Sequence, residues 1–154
     1  MSFHSFFKPR LRAGKEKEKI AQPLICQANN VSIISERTDD NYGELKYDFQ
    51  TSNGIKYELK GGESSDKFHS FFIEFEQSIK GKLYVPSGIS DSEADYWMLK
   101  YNNTFYTIDR KVLIQKCMSV GERRHSKLNP DVKTWGMIVS VEELRPFCTL
   151  YPIF

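Results

Sequence analysis

Two carboxylates and a lysine at short spacing, Asp48, Glu58 and Lys60, are the part of this 154-residue chain most suited to chemistry. Carboxylate oxygens are hard ligands that suit Mg²⁺ or Mn²⁺, and Mg²⁺ usually keeps several waters and completes its shell with substrate phosphate oxygens. Two carboxylates that face each other also repel, which destabilises the fold unless a cation lies between them. Because Lys60 follows Glu58 by two residues, it would project on the same side of a strand about 6–7 Å further along, where an ammonium group can stabilise a phosphate oxygen.

The segments that carry these residues are typical of a β-hairpin. Polar and apolar residues alternate over 45–51 and again over 55–60, on either side of Asn53-Gly54, a dipeptide that favours tight turns. The pattern predicts a polar face of Lys46, Asp48, Gln50, Lys56, Glu58 and Lys60, and an apolar face of Leu45, Tyr47, Phe49, Ile55, Tyr57 and Leu59.

The length of the connecting loop decides which residues face each other. A three-residue loop with Gly54 in the left-handed conformation pairs Thr51 with Ile55, and this register places Asp48 opposite Glu58. A two-residue loop would set the apolar side of one strand against the polar side of the other, because side chains alternate with a period of two. The hydrophobic pattern therefore selects the three-residue register and brings the two carboxylates together.

The remaining segments predict a single α/β domain over residues 1–154, with a central mixed β-sheet of about five strands flanked by helices. Residues 1–13, rich in phenylalanine, are interpreted as an N-terminal arm, and a helix is expected from Gly14 until Pro23 ends or kinks it. Further strands are predicted over 31–35, 71–77, 96–100, 104–108 and 137–141, helices over 111–118 and 141–147, and a basic loop over 121–133.

Composition restricts the class of protein. Hydrophobic residues make up 40% of the chain, enough for one buried core, yet no run approaches the roughly 18 apolar residues of a membrane span. The three cysteines show no C-x-x-C spacing and the three histidines are scattered, so neither a disulfide framework nor a zinc site is indicated. These features predict an intracellular protein without a membrane partner.

The net charge of +2 conceals a segregation of charge along the chain. Residues 1–30 carry a net charge of +4 and residues 110–133 one of +5, whereas residues 31–109, which contain both carboxylates, carry −6. Basic segments on either side of an acidic metal site are suited to hold a polyanion, so nucleic acid is the predicted partner. The candidate phosphate contacts, which would otherwise be ordinary solvated charges, are Lys8, Arg10, Arg12, Lys15, Arg123, Arg124 and Lys127.

Asp48 and the sequence Glu58-Leu59-Lys60 form the pattern D-x9-E-x-K on two adjacent predicted strands. Downstream follow F-I-E-F-E at 72–76, P-S-G-I-S at 86–90 and A-D-Y-W at 94–97, and upstream lies G-x-x-x-E at 14–18. This ordered set, over roughly residues 14–110, resembles the PD-(D/E)xK nuclease superfamily, in particular a branch associated with phages and viruses. That branch implies a protein in the cytoplasm of a microbial cell or of a virus-infected host cell. Tyr47 stands where the superfamily often has proline, and Pro23 falls where its first helix usually continues.

The resemblance implies a restriction-endonuclease-like core and a metal-dependent endonuclease that hydrolyses phosphodiester bonds, with DNA favoured over RNA. It implies that Mg²⁺ or Mn²⁺ is held by Asp48, Glu58 and the Leu59 carbonyl, that a metal-activated water attacks the phosphate, and that Lys60 stabilises the growing charge. Glu18 would be a further, water-mediated ligand and Glu74 an extra acid on the next strand. Resolvases of the superfamily are dimers, so a homodimer is compatible with the resemblance.

Other interpretations of the same residues remain open. The loop from Ser87 to Ser90 is either a plain turn or a place where backbone N–H groups approach a phosphate. The hairpin is also compatible with a purely structural role and a solvated polar face. The chain is then either a non-catalytic nucleic-acid-binding module or a virion-associated interaction protein with the same fold.

Overall fold

The computed structural model describes the backbone of residues 3–153 except residues 39, 42 and 130, and within it the side chains of residues 15–126 and 131–153. The first half of the chain contains α1 (Phe3–Asn29), β1 (Ile33–Glu36), β2 (Phe49–Thr51), β3 (Lys56–Gly61), α2 (Glu63–Phe68), β4 (Ser70–Ile79) and β5 (Val85–Pro86). The second half contains β6 (Tyr96–Tyr101), β7 (Thr104–Asp109), α3 (Arg110–Val120), β8 (Glu122–Asn129), β9 (Val132–Ser140), α4 (Val141–Leu144) and β10 (Thr149–Pro152). Short 3₁₀ turns lie at Gly88–Ser90 and Arg145–Phe147.

The strands form two sheets. The larger has the order β1-β2-β3-β6-β7-β10 and is mixed, because β3 and β6 run parallel while the other neighbours run antiparallel. The smaller has the order β5-β4-β9-β8 and is antiparallel throughout. The predicted α/β class with a mixed central sheet is confirmed, but the prediction of one sheet of about five strands is wrong, since β4 pairs with β9 and joins a second sheet.

The predicted basic loop over 121–133 is also wrong, because most of it is the strand β8. Residues 122–125 of β8 are all exposed, so this segment lacks the apolar alternation by which a strand is recognised in a sequence. It is a strand because its backbone pairs with β9 along almost its whole length. The edge strand β10, which pairs with β7, was likewise not predicted.

The hairpin of β2 and β3 has the predicted three-residue register. Phe49 pairs with Tyr57 and Gln50 with Lys56, and the Thr51 N–H donates to the Ile55 carbonyl at 2.9 Å. Gly54 has φ +87°, a left-handed value that suits glycine at the end of this loop.

The ladder ends one pair short of Asp48 and Glu58, which corrects the predicted direct pairing of these acids. The Asp48 N–H donates to the Tyr57 carbonyl at 2.8 Å, so Asp48 and Phe49 both lie opposite Tyr57, as in a β-bulge. The extra residue reverses the side-chain alternation before it. Tyr47 therefore packs in a different cluster from Phe49, and the predicted continuous apolar face from Leu45 to Leu59 is wrong.

The larger sheet is covered on both faces. Ala21 and Ile25 of α1 pack against one face, where they bury Phe49, Tyr57 and Leu59. The other face packs against the smaller sheet and α3, through residues that include Trp97, Leu99, Phe71, Ile73 and Leu113. Glu58 and Lys60 alternate with Leu59 along β3, so they lie on the face turned toward the smaller sheet.

The first helix is longer than predicted. It begins at Phe3, which takes in most of the predicted arm, and it continues past Pro23 to Asn29, so the expected end at Pro23 is wrong. A proline inside a helix removes one hydrogen bond, and here the complete burial of Ala21 and Ile25 on the sheet offsets that loss. Within the described chain, no helix is long and apolar enough to cross a membrane.

Candidate active site

Asp48 and Glu58 come together where β2 separates from β3. The Glu58 side chain is buried between the sheets, and the Asp48 carboxylate lies at the edge of β3, where its Oδ2 accepts a hydrogen bond from the Leu59 N–H at 2.7 Å. The bulge at Asp48 thus turns a carboxylate toward the backbone of the neighbouring strand. The predicted convergence of the two acids holds, although a side chain-to-backbone contact replaces the predicted cross-strand pair.

Backbone carbonyl oxygens of β3 also lie along the strand edge next to the Asp48 carboxylate. In an extended strand the N–H and C=O of one residue point to the same side, so the Leu59 carbonyl lies at the edge that Asp48 occupies. Gly61, two residues on, accepts a hydrogen bond there from Lys17 of α1. The predicted role of the Leu59 carbonyl as a ligand is compatible with this geometry.

An arginine that was not predicted lies between the two acids. Arg37 Nη1 is 3.5 Å from Asp48 Oδ1 and Nη2 is 3.9 Å from Glu58 Oε2, while Nη2 also donates to the Leu45 carbonyl at 2.8 Å. Its backbone N–H donates to the Asp48 carbonyl at 2.8 Å. Arg37 follows β1, so its position depends on the pairing of β1 with β2, which no local pattern in the sequence indicates.

Burial and a second acid perturb Glu58. Desolvation, together with the charge of Asp48, raises the pKa of Glu58 to about 7, although Lys60 and Arg37 act in the opposite direction. Its Oε2 has no hydrogen-bond partner within the described part of the chain. A buried carboxylate oxygen without a hydrogen bond is costly, and a cation at this position would remove the cost.

Lys60 lies beside the Glu58 carboxylate. Its Nζ is 3.7 Å from Glu58 Oε1 and 6.0 Å from the centre of the Trp97 ring, and the side chain is half exposed. Desolvation of the part of the side chain that is buried favours the neutral amine, but the charges of Glu58, Asp48 and Glu74 outweigh it and raise the pKa of Lys60. The lysine is therefore a full positive charge at neutral pH, as its predicted role requires.

The first helix brings Glu18 close enough to Asp48 for the two charges to interact. Glu18 is only 4% exposed and forms an ion pair of 2.8 Å with Lys15, which also donates to the Arg37 carbonyl. Burial is the main cause that raises the pKa of Glu18 to about 7, and the charge of Asp48 adds to it. Pro23 lies beyond Glu18 in the helix and does not move it from the site.

Lys17 is a second residue that sequence reasoning missed. Its Nζ donates to the Gly61 carbonyl, and burial followed by the charges of Lys60 and Lys100 lowers the pKa of Lys17. In the sequence it is one member of a repetitive Lys-Glu run, so nothing distinguishes it from a surface charge. The described side chains of α1 thus supply one carboxylate and two ammonium groups to the site.

The other predicted residues lie at different distances from this centre. Glu74 of β4 is half-buried and contributes to the field at Lys60. Ser87 is buried, and its Oγ has no hydrogen-bond partner among the described residues, whereas Ser90 is exposed. Gly88 packs against Glu74, since a Cβ on Gly88 would lie 2.3 Å from the Glu74 carbonyl oxygen.

The predicted basic contacts divide into two groups. Arg123 and Arg124 are exposed on β8, the outer strand of the smaller sheet, where Arg123 lies 4.5 Å from the Trp135 ring centre and Arg124 is 3.3 Å from Glu122. The strand β9 separates them from β4. The side chains of Lys8, Arg10, Arg12 and Lys127 lie outside the described residues.

The oxygens of this site suit Mg²⁺ or Mn²⁺. Asp48 Oδ1, Glu58 Oε2 and the Leu59 carbonyl are hard donors, and Mg²⁺ needs only one or two carboxylates when waters and phosphate complete its shell. Among the described residues, no three His, Cys, Asp or Glu side chains form a group able to hold a metal alone. Two carboxylates and one carbonyl would fill only part of the shell of such an ion, and waters or phosphate oxygens would fill the rest.

The chain matches no protein-family model, and no curated protein sequence matches it.

Proposed function

We propose that this protein is a metal-dependent nuclease that hydrolyses phosphodiester bonds in nucleic acid, with DNA as the favoured substrate and Mg²⁺ or Mn²⁺ as cofactor. The observation that carries the proposal is the buried Glu58 Oε2 without a hydrogen bond, close to Asp48 and Lys60. A structural hairpin with a solvated polar face would leave these side chains in water. The ordered motifs that resemble the PD-(D/E)xK superfamily support the same function.

Each residue of the site has a role that follows from its contacts. Asp48 Oδ1, Glu58 Oε2 and the Leu59 carbonyl would hold the metal, and the Leu59 N–H fixes the Asp48 carboxylate through Oδ2. When bound, the ion would supply a water of lowered pKa and positive charge beside the phosphate. Lys60, held next to Glu58 Oε1, stabilises negative charge on the phosphate oxygens in the transition state.

The residues of α1 act around this centre. Glu18, which has a pKa of about 7, can accept a proton near neutral pH or hold a water in place. Lys15 and Lys17 place positive charge on the side from which a phosphate backbone would approach. The acidic centre is thus bordered by cations, as binding of a polyanion to an acidic metal site requires.

The test is cleavage of DNA and RNA by the purified full chain with Mg²⁺, Mn²⁺ or a chelator. We expect cleavage only with metal, and we expect Asp48→Asn and Lys60→Ala to lower its rate at least about a hundredfold, because each removes charge that acts on the transition state. Lys56→Ala is the matched control, since Lys56 lies on the same strand and its Nζ contacts the Tyr47 ring, with 5.0 Å to the ring centre. Cleavage that survives both site substitutions would reject the assignment.

A second candidate function is non-catalytic binding of nucleic acid. The observation that favours it is Arg37, whose guanidinium already supplies positive charge to both acids, as a resident counter-ion would. In that case DNA binding is insensitive to chelators and no metal supports cleavage. The same cleavage experiment, with binding measured in parallel, separates the two functions.

A further inference from the structure

A cavity of about 260 Å³ opens beside Lys60. Its walls are residues 60–65, where β3 passes into α2, residues 70–73 at the start of β4, and Leu99 of β6. Because Lys60 belongs both to this wall and to the candidate active site, the cavity continues directly from the site. The roles proposed for the active-site residues do not involve this cavity.

Backbone rather than side chains forms the wall next to Lys60. Gly61 and Gly62 have φ +91° and +146°, and a Cβ on Gly61 would lie 2.5 Å from the Lys100 carbonyl oxygen. Glycine at position 61 therefore keeps the junction of β3 and α2 close to β6. A Cβ on Gly62 would lie 3.7 Å from Lys17 Nζ, so a second cation borders the same wall.

The remaining lining suits a flat, uncharged group with N–H donors. Phe72 lines the cavity and is 37% exposed, which gives an aromatic surface for stacking. Glu63 and Ser64 are also exposed in the lining and can accept hydrogen bonds, whereas the Ser65 hydroxyl is already bonded to Gly62 and Lys100. A carboxylate repels phosphate, so the group that contacts Glu63 is not a phosphate, whereas Lys60 and Lys17 can face one.

The size of the cavity limits the occupant further. Its 260 Å³ is below the roughly 300–1,000 Å³ that drug-sized ligands fill, so it admits one ring system and not a base pair. A base inside a duplex is stacked and paired, and it must leave the stack before a protein can enclose it. These limits point to a single unpaired base.

We propose that this cavity binds one unpaired nucleobase next to the phosphate that is cut. The inference rests on the proposed nuclease function, and it names the substrate class: nucleic acid with an unpaired nucleotide at the cleavage position, as in single strands, mismatches, flaps and branch points. The base stacks on Phe72 and donates hydrogen bonds to Glu63 or Ser64, while Lys17 and Lys60 face the adjoining phosphate.

Binding without metal tests the cavity separately from cleavage. The probes are a single-stranded DNA that carries one 2-aminopurine and its fully paired duplex, with the full chain in EDTA. We expect Phe72→Ala, and Ser64→Trp that fills the cavity, to weaken single-strand binding about tenfold and to leave duplex binding unchanged. Phe68→Ala is the matched control, because Phe68 is 64% exposed on α2 and is not part of the cavity wall.

The outcomes distinguish failure of the cavity from failure of the nuclease. The base-binding cavity is overturned if the cavity variants lose equal affinity for the single strand and the duplex, or if Phe68→Ala weakens single-strand binding as much as Phe72→Ala does. Either result would count even if the protein cuts DNA with metal. Selective losses without cleavage under any metal would uphold the cavity and reject the nuclease. With Mg²⁺, the full proposal requires wild type to cut the single strand faster than the duplex and Phe72→Ala to abolish that preference. Binding to neither probe, without cleavage, would overturn both.

Discussion

At the scale of single residues, Arg37 decides how the acid pair is stabilised in the absence of metal. Glu58 is buried and close to a second carboxylate, an arrangement that Coulomb repulsion opposes. The guanidinium lies within 4 Å of an oxygen of each acid, so it occupies the position where a divalent ion would reduce the same repulsion. Arginine and metal are therefore expected to compete for the two carboxylates.

This competition predicts a metal-dependent stability effect. Arg37→Gln should lower the free energy of unfolding by about 2 kcal/mol in EDTA, because charge-assisted contacts to two acids are lost. Added Mg²⁺ should stabilise the variant more than wild type, as measured by urea unfolding at pH 7. The control is Arg110→Gln, which removes a half-buried arginine whose contacts are the Ala94 and Ile89 carbonyls. An equal Mg²⁺ effect on wild type and Arg37→Gln would show that the arginine does not compete with the metal.

The raised pKa of Glu18 gives a second prediction at this scale. Because the folded state holds the Glu18 proton up to a pKa of about 7, and the ordinary value is 4.5, the contribution of Glu18 to stability falls as pH rises from about 4.5 to 7 and is constant above. Glu18→Gln removes this titration. The free energy of unfolding of the variant, compared with that of wild type, should therefore rise by roughly 2–3 kcal/mol between pH 4 and pH 8. Glu16→Gln, on the same helix but exposed, should show no such change. If the free energy of unfolding changes with pH in the same way for wild type and Glu18→Gln, the raised pKa of Glu18 is contradicted.

At the scale of elements, the sequence predicts what depends on local pattern and misses what depends on distant pairing. The register of β2 and β3 was predictable, because alternation and an Asn-Gly turn are both local signals. The position of Arg37 was not, since it requires β1 to pair with β2. The bulge at Asp48 was not either, because it interrupts the alternation on which the prediction depends. The strand β8 was missed because hydrogen bonds to β9, and not apolar alternation, make it a strand.

Two glycines allow backbone strain to be separated from packing at the element scale. Gly54 and Gly88 both have positive φ, +87° and +54°, but a Cβ on Gly54 meets nothing within 4 Å whereas one on Gly88 meets Glu74. Gly54→Ala should therefore cost about 1 kcal/mol of unfolding free energy, from the left-handed conformation alone. Gly88→Ala should cost at least about 2 kcal/mol more, because its loop must move away from β4. Equal costs in urea unfolding would mean that the loop adapts freely.

At the scale of the whole molecule, the segregated charge of the sequence is only partly gathered at the site. The first basic segment contributes Lys15 and Lys17 directly, through α1. The second contributes Arg123 and Arg124 to β8, on the far strand of the smaller sheet. The net charge of +2 therefore combines a basic first segment against the site, an acidic stretch over residues 31–109, a second basic segment over 110–133 and a net charge of −1 over 134–154.

Salt dependence of DNA binding will show whether both basic elements contact the phosphate backbone. Each phosphate contact adds about 0.9 to the slope of log K against log salt concentration, so Lys17→Ala should reduce the slope by about one. If β8 belongs to the same interface, Arg123→Ala with Arg124→Ala should reduce it by up to about two. Lys46→Ala should leave it unchanged, because Lys46 is held by Asp91 at 2.7 Å. A slope that falls only with Lys17→Ala would confine the phosphate path to α1 and the end of β3, the side on which the cavity beside Lys60 opens.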